Sequence, residues 1–88
     1  MAQLTIPHIL AEFCNGHSKI TIEARSLDSL LTELFGRYPQ LEQQLFDDQQ
    51  ELREHILLFL DGQRLSPPFT QKLAPNSHVT ILQAVSGG

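Results

Sequence analysis

The 88-residue sequence predicts a single α+β domain in which one main helix lies across one face of a mixed five-stranded sheet. Three observations predict it. Apolar residues alternate with polar ones in short runs at both ends of the chain, the signature of half-buried strands. One stretch, Leu27 to Tyr38, instead carries apolar residues at helical spacing. Turn dipeptides, Asn15-Gly16 and Asp61-Gly62, punctuate the runs where hairpins must reverse.

Gln3-Leu4-Thr5-Ile6 alternates and points Leu4 and Ile6 inward. Pro7 has no N–H to give a ladder, so it belongs at a strand end or a bulge. A long loop, about 11–18, leads to Lys19-Ile20-Thr21-Ile22-Glu23, which alternates with Ile20 and Ile22 inward. Ser26 is a favoured N-cap. After it Leu27, Leu30, Leu31, Leu34, Phe35 and Tyr38 form one apolar stripe, and Asp28 complements the helix dipole. Gly36 and the Tyr38-Pro39 bond limit its far end, because the residue before proline disfavours α geometry. In the segment 40–54, Leu41, Leu45, Phe46 and Leu52 anchor a short helix and a loop. The acids Asp47, Asp48, Glu51 and Glu54 read as a solvated face, with a docking patch as the alternative.

Ile56-Leu57-Leu58-Phe59-Leu60 is an apolar run of strand length. Asp61-Gly62 turns the chain into a short strand, Gln63-Arg64-Leu65, and Phe69 to Ala74 is expected to form one helical turn. Val79 to Leu82 is the last strand. Placing the first and last strands side by side and parallel in the middle gives the β-grasp arrangement, with body 1–82 and a flexible tail 83–88. Period-2 parity then sends Val79, Ile81, Ile56, Leu58 and Leu60 toward the helix. It leaves Leu57, Phe59 and Leu82 on the open face as a candidate partner surface. The alternative is that the segment 40–54 folds over them.

Composition bounds the function. Net charge is −4, which argues against a nucleic-acid binder, since those carry basic patches. The lone Cys14 permits no internal disulfide and fits a reducing, cytoplasmic setting. No apolar run approaches the length of a membrane span. Cys14 reads as an inert small side chain rather than a nucleophile. His8, His17, His55 and His78 lack metal-ligand spacing, so no metal is expected.

The closing Ser86-Gly87-Gly88 carries the chemistry. Glycine has no Cβ, so such a tail passes a channel too narrow for side chains and brings the Gly88 carboxylate beside a nucleotide. Six extended residues, Gln83 to Gly88, reach about 20 Å. Activation by ATP makes this carboxylate an acyl-adenylate that sulfur or an amine attacks.

From His78 through Gly88, at Phe59-Leu60-Asp61-Gly62, and in the opening Ile6-Pro7, Ile9-Leu10, Gly16 and Lys19, the chain resembles the ubiquitin-like sulfur carriers of the MoaD/ThiS family. It looks most like the branch that supplies sulfur for cysteine synthesis; the molybdopterin branch shares the long 38–55 connection. The resemblance implies a carrier with no catalysis of its own and no bound cofactor. An adenylating, sulfur-transferring enzyme of the ubiquitin-activating type would use ATP on Gly88 and leave a thiocarboxylate there. A downstream synthase would accept the sulfur. Val85, Ser86 and Gly87 match the family's tail-binding positions, although proline or alanine often stands before its glycines. Two other readings stay open: a protein modifier joined to lysines through Gly88, and a non-covalent interaction domain.

Overall fold

The computed structural model describes residues 1–84. The elements are β1 (Ala2–Thr5), a 3-10 helix (His8–Cys14), β2 (Lys19–Ile22), α1 (Leu27–Arg37), α2 (Pro39–Leu45), β3 (Ile56–Leu60), β4 (Gln63–Arg64) and β5 (His78–Gln83). The strands form one sheet in the order β2-β1-β5-β3-β4. The central pair β1–β5 is parallel, with Leu4 beside Val79, and the other pairings are antiparallel. This is the mixed sheet expected for a β-grasp.

α1 begins where Ser26 adopts an extended backbone, φ −145° and ψ 159°, and its hydroxyl meets the Ser29 hydroxyl at 2.6 Å and the Ser29 N–H at 3.4 Å. Leu27, Leu30, Leu31 and Leu34 are buried and pack against Leu4, Ile20, Ile22, Ile56, Leu58, Val79 and Ile81 in one core. Gly36 does not stop the helix, which runs to Arg37. Pro39 does: Tyr38 leaves helical geometry at φ −131° and ψ 76°, and Pro39 then opens α2 as its first residue, where the missing N–H costs nothing.

Two stretches differ from the sequence reading. The expected loop after β1 contains a 3-10 helix that buries Leu10, Ala11 and Cys14. Three residues per turn place Ala11 and Cys14 on one side, toward the core. Asn15 and Gly16 then reverse the chain at φ 55° and 84°. The second difference is at 69–74, where an extended segment replaces the expected helical turn. The reason lies at the start of α1, whose first N–H groups have no partner within the helix. The Leu27 N–H donates to the Gln71 carbonyl at 2.8 Å, and the Leu73 N–H donates to the Arg25 carbonyl at 2.9 Å. These long-range bonds override a weak local preference at Phe69-Thr70.

The parity reading holds. Ile56, Leu58, Val79 and Ile81 are buried, and Leu60 packs partly against the core. β5 runs through Gln83, which pairs with Ile56, and Ala84 is tied to His55. The sheet therefore holds Gln83, and one backbone bond ties Ala84 beside it, although the sequence reading assigned both to the tail.

Candidate functional site

The candidate site has a face and an end. On the face, Leu57 lies directly opposite Leu82, and Phe59 lies opposite Thr80. Leu82 is 44% exposed, and Leu57 and Phe59 are half-buried. Because Leu57 and Leu82 are directly opposite across β3 and β5, their side chains stand side by side on the same face of the sheet. The segment 40–54 does not cover it. Its helix α2 packs on α1 and on the 3-10 helix instead. Residues 50–54 wall only one side of the face, in a groove of about 610 Å³ that Leu57 also lines.

At the end, the Ala84 N–H donates to the His55 carbonyl at 2.7 Å. Val85, Ser86, Gly87 and Gly88, the residues predicted to carry the chemistry, lie outside the described residues. Covalent geometry limits their reach beyond Ala84 to about 13 Å.

The structure adds residues to this face that the sequence reading did not single out. His78 and Thr5 meet across β1 and β5, with Nε2 and Oγ1 2.7 Å apart. Asp61 and His78 are joined twice: the Asp61 N–H donates to the His78 carbonyl at 2.8 Å, and the His78 N–H donates to the Asp61 carboxylate at 2.8 Å. The left-handed backbone of Asp61 and Gly62, φ 49° and 88°, is what turns this carboxylate toward β5. Arg64 stands opposite Phe59 and adds a charge to the rim. Strand register brings these residues together, and no local motif in the sequence records it.

Cys14 is fully buried, and burial pushes its thiol above the ordinary range. This is an inert packing residue, as expected, because a thiol held protonated is a poor nucleophile. Among the described residues no group of three or more His, Cys, Asp or Glu side chains converges as metal ligands do. No described helix is long and apolar enough to cross a membrane.

The strand order, the central parallel pair and the helix across one face define a ubiquitin-like β-grasp protein. Solved structures share this fold along the whole chain. A chain of the Amycolatopsis orientalis BexX/CysO complex superposes with a TM-score of 0.87 at 19% identity, covering 100% of both chains. Mycobacterium tuberculosis CysO gives 0.85 at 21% identity over 97% of this chain and 100% of that one. Small archaeal modifier protein 1 from Haloferax volcanii gives 0.78 at 24% identity over 99% and 98%. At these identities the likeness is one of fold. No protein-family model matches the sequence, and no curated protein matches it.

Proposed function

We propose that this protein is a sulfur carrier whose reactive group is the carboxylate of Gly88. The observation that carries the reading is the combination of a full-length CysO-like fold with a Gly-Gly sequence three and four residues past the last described sheet bond, at Ala84. The body grips, and the side-chain-free end enters the partner's nucleotide site.

The chemistry balances without a redox step. A Gly88 carboxylate oxygen attacks the α-phosphorus of ATP held by an adenylating enzyme, and pyrophosphate leaves. Hydrosulfide then attacks the acyl carbon, AMP departs, a proton is released, and Gly88 ends in a thiocarboxylate. That sulfur is a good nucleophile for a downstream synthase in cysteine, molybdopterin or related biosynthesis. The protein itself holds no cofactor and does no catalysis in this scheme, which would run in the cytoplasm. Leu57, Phe59 and Leu82 form the docking face, and Val85, Ser86 and Gly87 line the partner's channel. The occurrence of CysO in a complex with BexX supports a carrier that works through a protein partner.

A second reading rests on the likeness to archaeal modifier proteins. In it a lysine amine attacks the acyl carbon of the same adenylate, AMP departs, a proton is released, and an isopeptide bond forms. Deleting Gly88 tests the shared step: the shortened chain should keep its fold and lose all ATP–pyrophosphate exchange with the activating enzyme. Exchange at the full rate would refute both readings. It would favour an interaction domain acting through its open face alone.

A further inference from the structure

Two strands, β2 and β4, form the edges of the sheet. β4 is two residues long and runs on into Pro67 and Pro68, which have no N–H to donate. β2 offers a longer edge. In an antiparallel strand, alternate residues direct both backbone groups to the same side. The Ser18 carbonyl accepts from the Ile6 N–H at 2.8 Å, so Ser18, Ile20 and Ile22 face β1. Lys19, Thr21 and Glu23, which directly follows β2, therefore face outward, and all three are exposed. The Thr21 carbonyl accepts from the Arg37 Nη1 at 3.4 Å, from outside the sheet. Among the described residues the N–H groups of Lys19 and Thr21 and the Lys19 carbonyl have no hydrogen-bond partner.

The edge reads Lys19-Ile20-Thr21-Ile22-Glu23, with opposite charges placed evenly about Thr21. Ile20 and Ile22 are buried in the core, and Lys19, Thr21 and Glu23 stand on the open side of the sheet. Neither Lys19 nor Glu23 belongs to the one ion pair among the described residues, Arg37–Glu33. A copy of the strand running antiparallel, with Thr21 opposite Thr21, sets Lys19 against Glu23 at both ends. Opposite charges directly across a strand pair stabilise it, and like charges destabilise it. A parallel copy would set Lys19 against Lys19 and Glu23 against Glu23. An antiparallel slip sets Thr21 against Lys19 or Glu23 and separates both ion pairs. The charges thus select one orientation and one register.

We propose that β2 pairs with β2 of a second copy of this chain, antiparallel across a two-fold axis at Thr21, so that two five-stranded sheets join into one. Thr21 exchanges both backbone bonds with its counterpart, and a Lys19–Glu23 ion pair closes each end. The Arg37 guanidinium is held at this edge by one long bond, and it turns toward Glu33, its partner at 3.4 Å, to admit the second strand. The axis stands perpendicular to the sheet, so the two faces bearing Leu57, Phe59 and Leu82 lie on the same side of the dimer. An edge this short gives a weak, concentration-dependent association. The pairing does not depend on the chemistry at Gly88.

The test is sedimentation equilibrium of the full chain over a wide range of concentration, with amide exchange measured in parallel. The dimer fraction should rise with concentration, and exchange at Thr21 should slow in step with it. Lys19→Glu alone and Glu23→Lys alone each set like charges opposite one another at both ends, and each should weaken the dimer about tenfold or more. Mixed together, the two variants are complementary, so the mixture should dimerise as the natural chain does. Both positions are exposed, so the variants should melt near the natural temperature. A chain that stays monomeric at the highest soluble concentration would overturn the proposal. So would single variants that dimerise as well as the natural chain, or a mixture no better than its components. A dimer that leaves Thr21 exchange unchanged would also overturn it, by placing the contact elsewhere.

Discussion

Ala84 gives its backbone N–H to the carbonyl of His55 at 2.7 Å, the last described bond between the end of the chain and the sheet. Ala84→Pro removes that donor in a residue that makes no other described hydrogen bond. A net cost of about 1 kcal/mol is expected. Thermal melting should show a fall of about 4–8 °C with the fold retained. An unchanged melting temperature would mean that the bond contributes nothing to holding the end in place.

The open face should bind without stabilising. Leu82 is 44% exposed, so Leu82→Glu removes little buried area. Stability should change by about 0.5 kcal/mol or less, the usual scale for a surface site. Affinity for the adenylating enzyme should fall about tenfold or more if Leu82, Leu57 and Phe59 anchor the interface. Calorimetric titration that finds the same Kd for both proteins would move the docking surface elsewhere.

The helix side should show the opposite behaviour. Leu34 is fully buried in the α1 stripe. Leu34→Ala leaves a cavity and should cost about 2–5 kcal/mol, a large share of the stability of so small a domain. Denaturant unfolding checks this. A loss under about 1 kcal/mol would show that α1 is not the centre of the core.

The cap of α1 makes a prediction in acid. Hydrogen bonding from the Ser26 side chain, and less so from backbone N–H groups, holds the Asp28 carboxyl below its ordinary range. A depressed folded-state pKa stabilises the fold above the ordinary carboxylate pKa of about 3.9. That contribution is lost as pH falls through the folded value. Asp28 is fully exposed, so the effect is small. In Ser26→Ala, carbon-detected NMR should find the Asp28 pKa moved upward toward the ordinary value. A titration curve identical in both proteins would remove Ser26 as the cause.

Burial of Cys14 raises its thiol pKa, so the folded state holds its proton to higher pH than the unfolded chain does. The corresponding stability is present below the ordinary thiol pKa of about 8.5 and is lost as pH rises through the raised value. Iodoacetamide at neutral pH should therefore modify Cys14 only as fast as the protein opens. Rapid alkylation of native protein would contradict its buried, protonated state.

Much of this was legible in the residues. The Leu27-to-Leu34 stripe and Ser26 marked α1, and the Ile20/Ile22 and Val79/Ile81 alternations marked the inward faces of two strands. The all-apolar Ile56–Leu60 run is ambiguous in parity by itself; the β3–β5 register, with Leu58 opposite the buried Ile81, is what turns Ile56 and Leu58 inward. What escaped depends on distant partners. Residues 69–74 are extended because the start of α1 needs the Gln71 carbonyl, some 44 positions away. The 3-10 helix forms because its short turn buries Ala11 and Cys14 against elements made much later in the chain. The Thr5–His78 contact follows from strand register, which no window of sequence contains.

The central claim is that Gly88 carries the reactive carboxylate, and mass spectrometry of the C-terminal peptide tests it most directly. The protein is incubated with ATP, its adenylating enzyme and sulfide, and the peptide is fragmented. The account predicts an exchange of one oxygen for sulfur, located on Gly88 and absent when ATP is withheld. An unmodified Gly88 after the enzyme has consumed ATP, or sulfur found on any other residue, would contradict it.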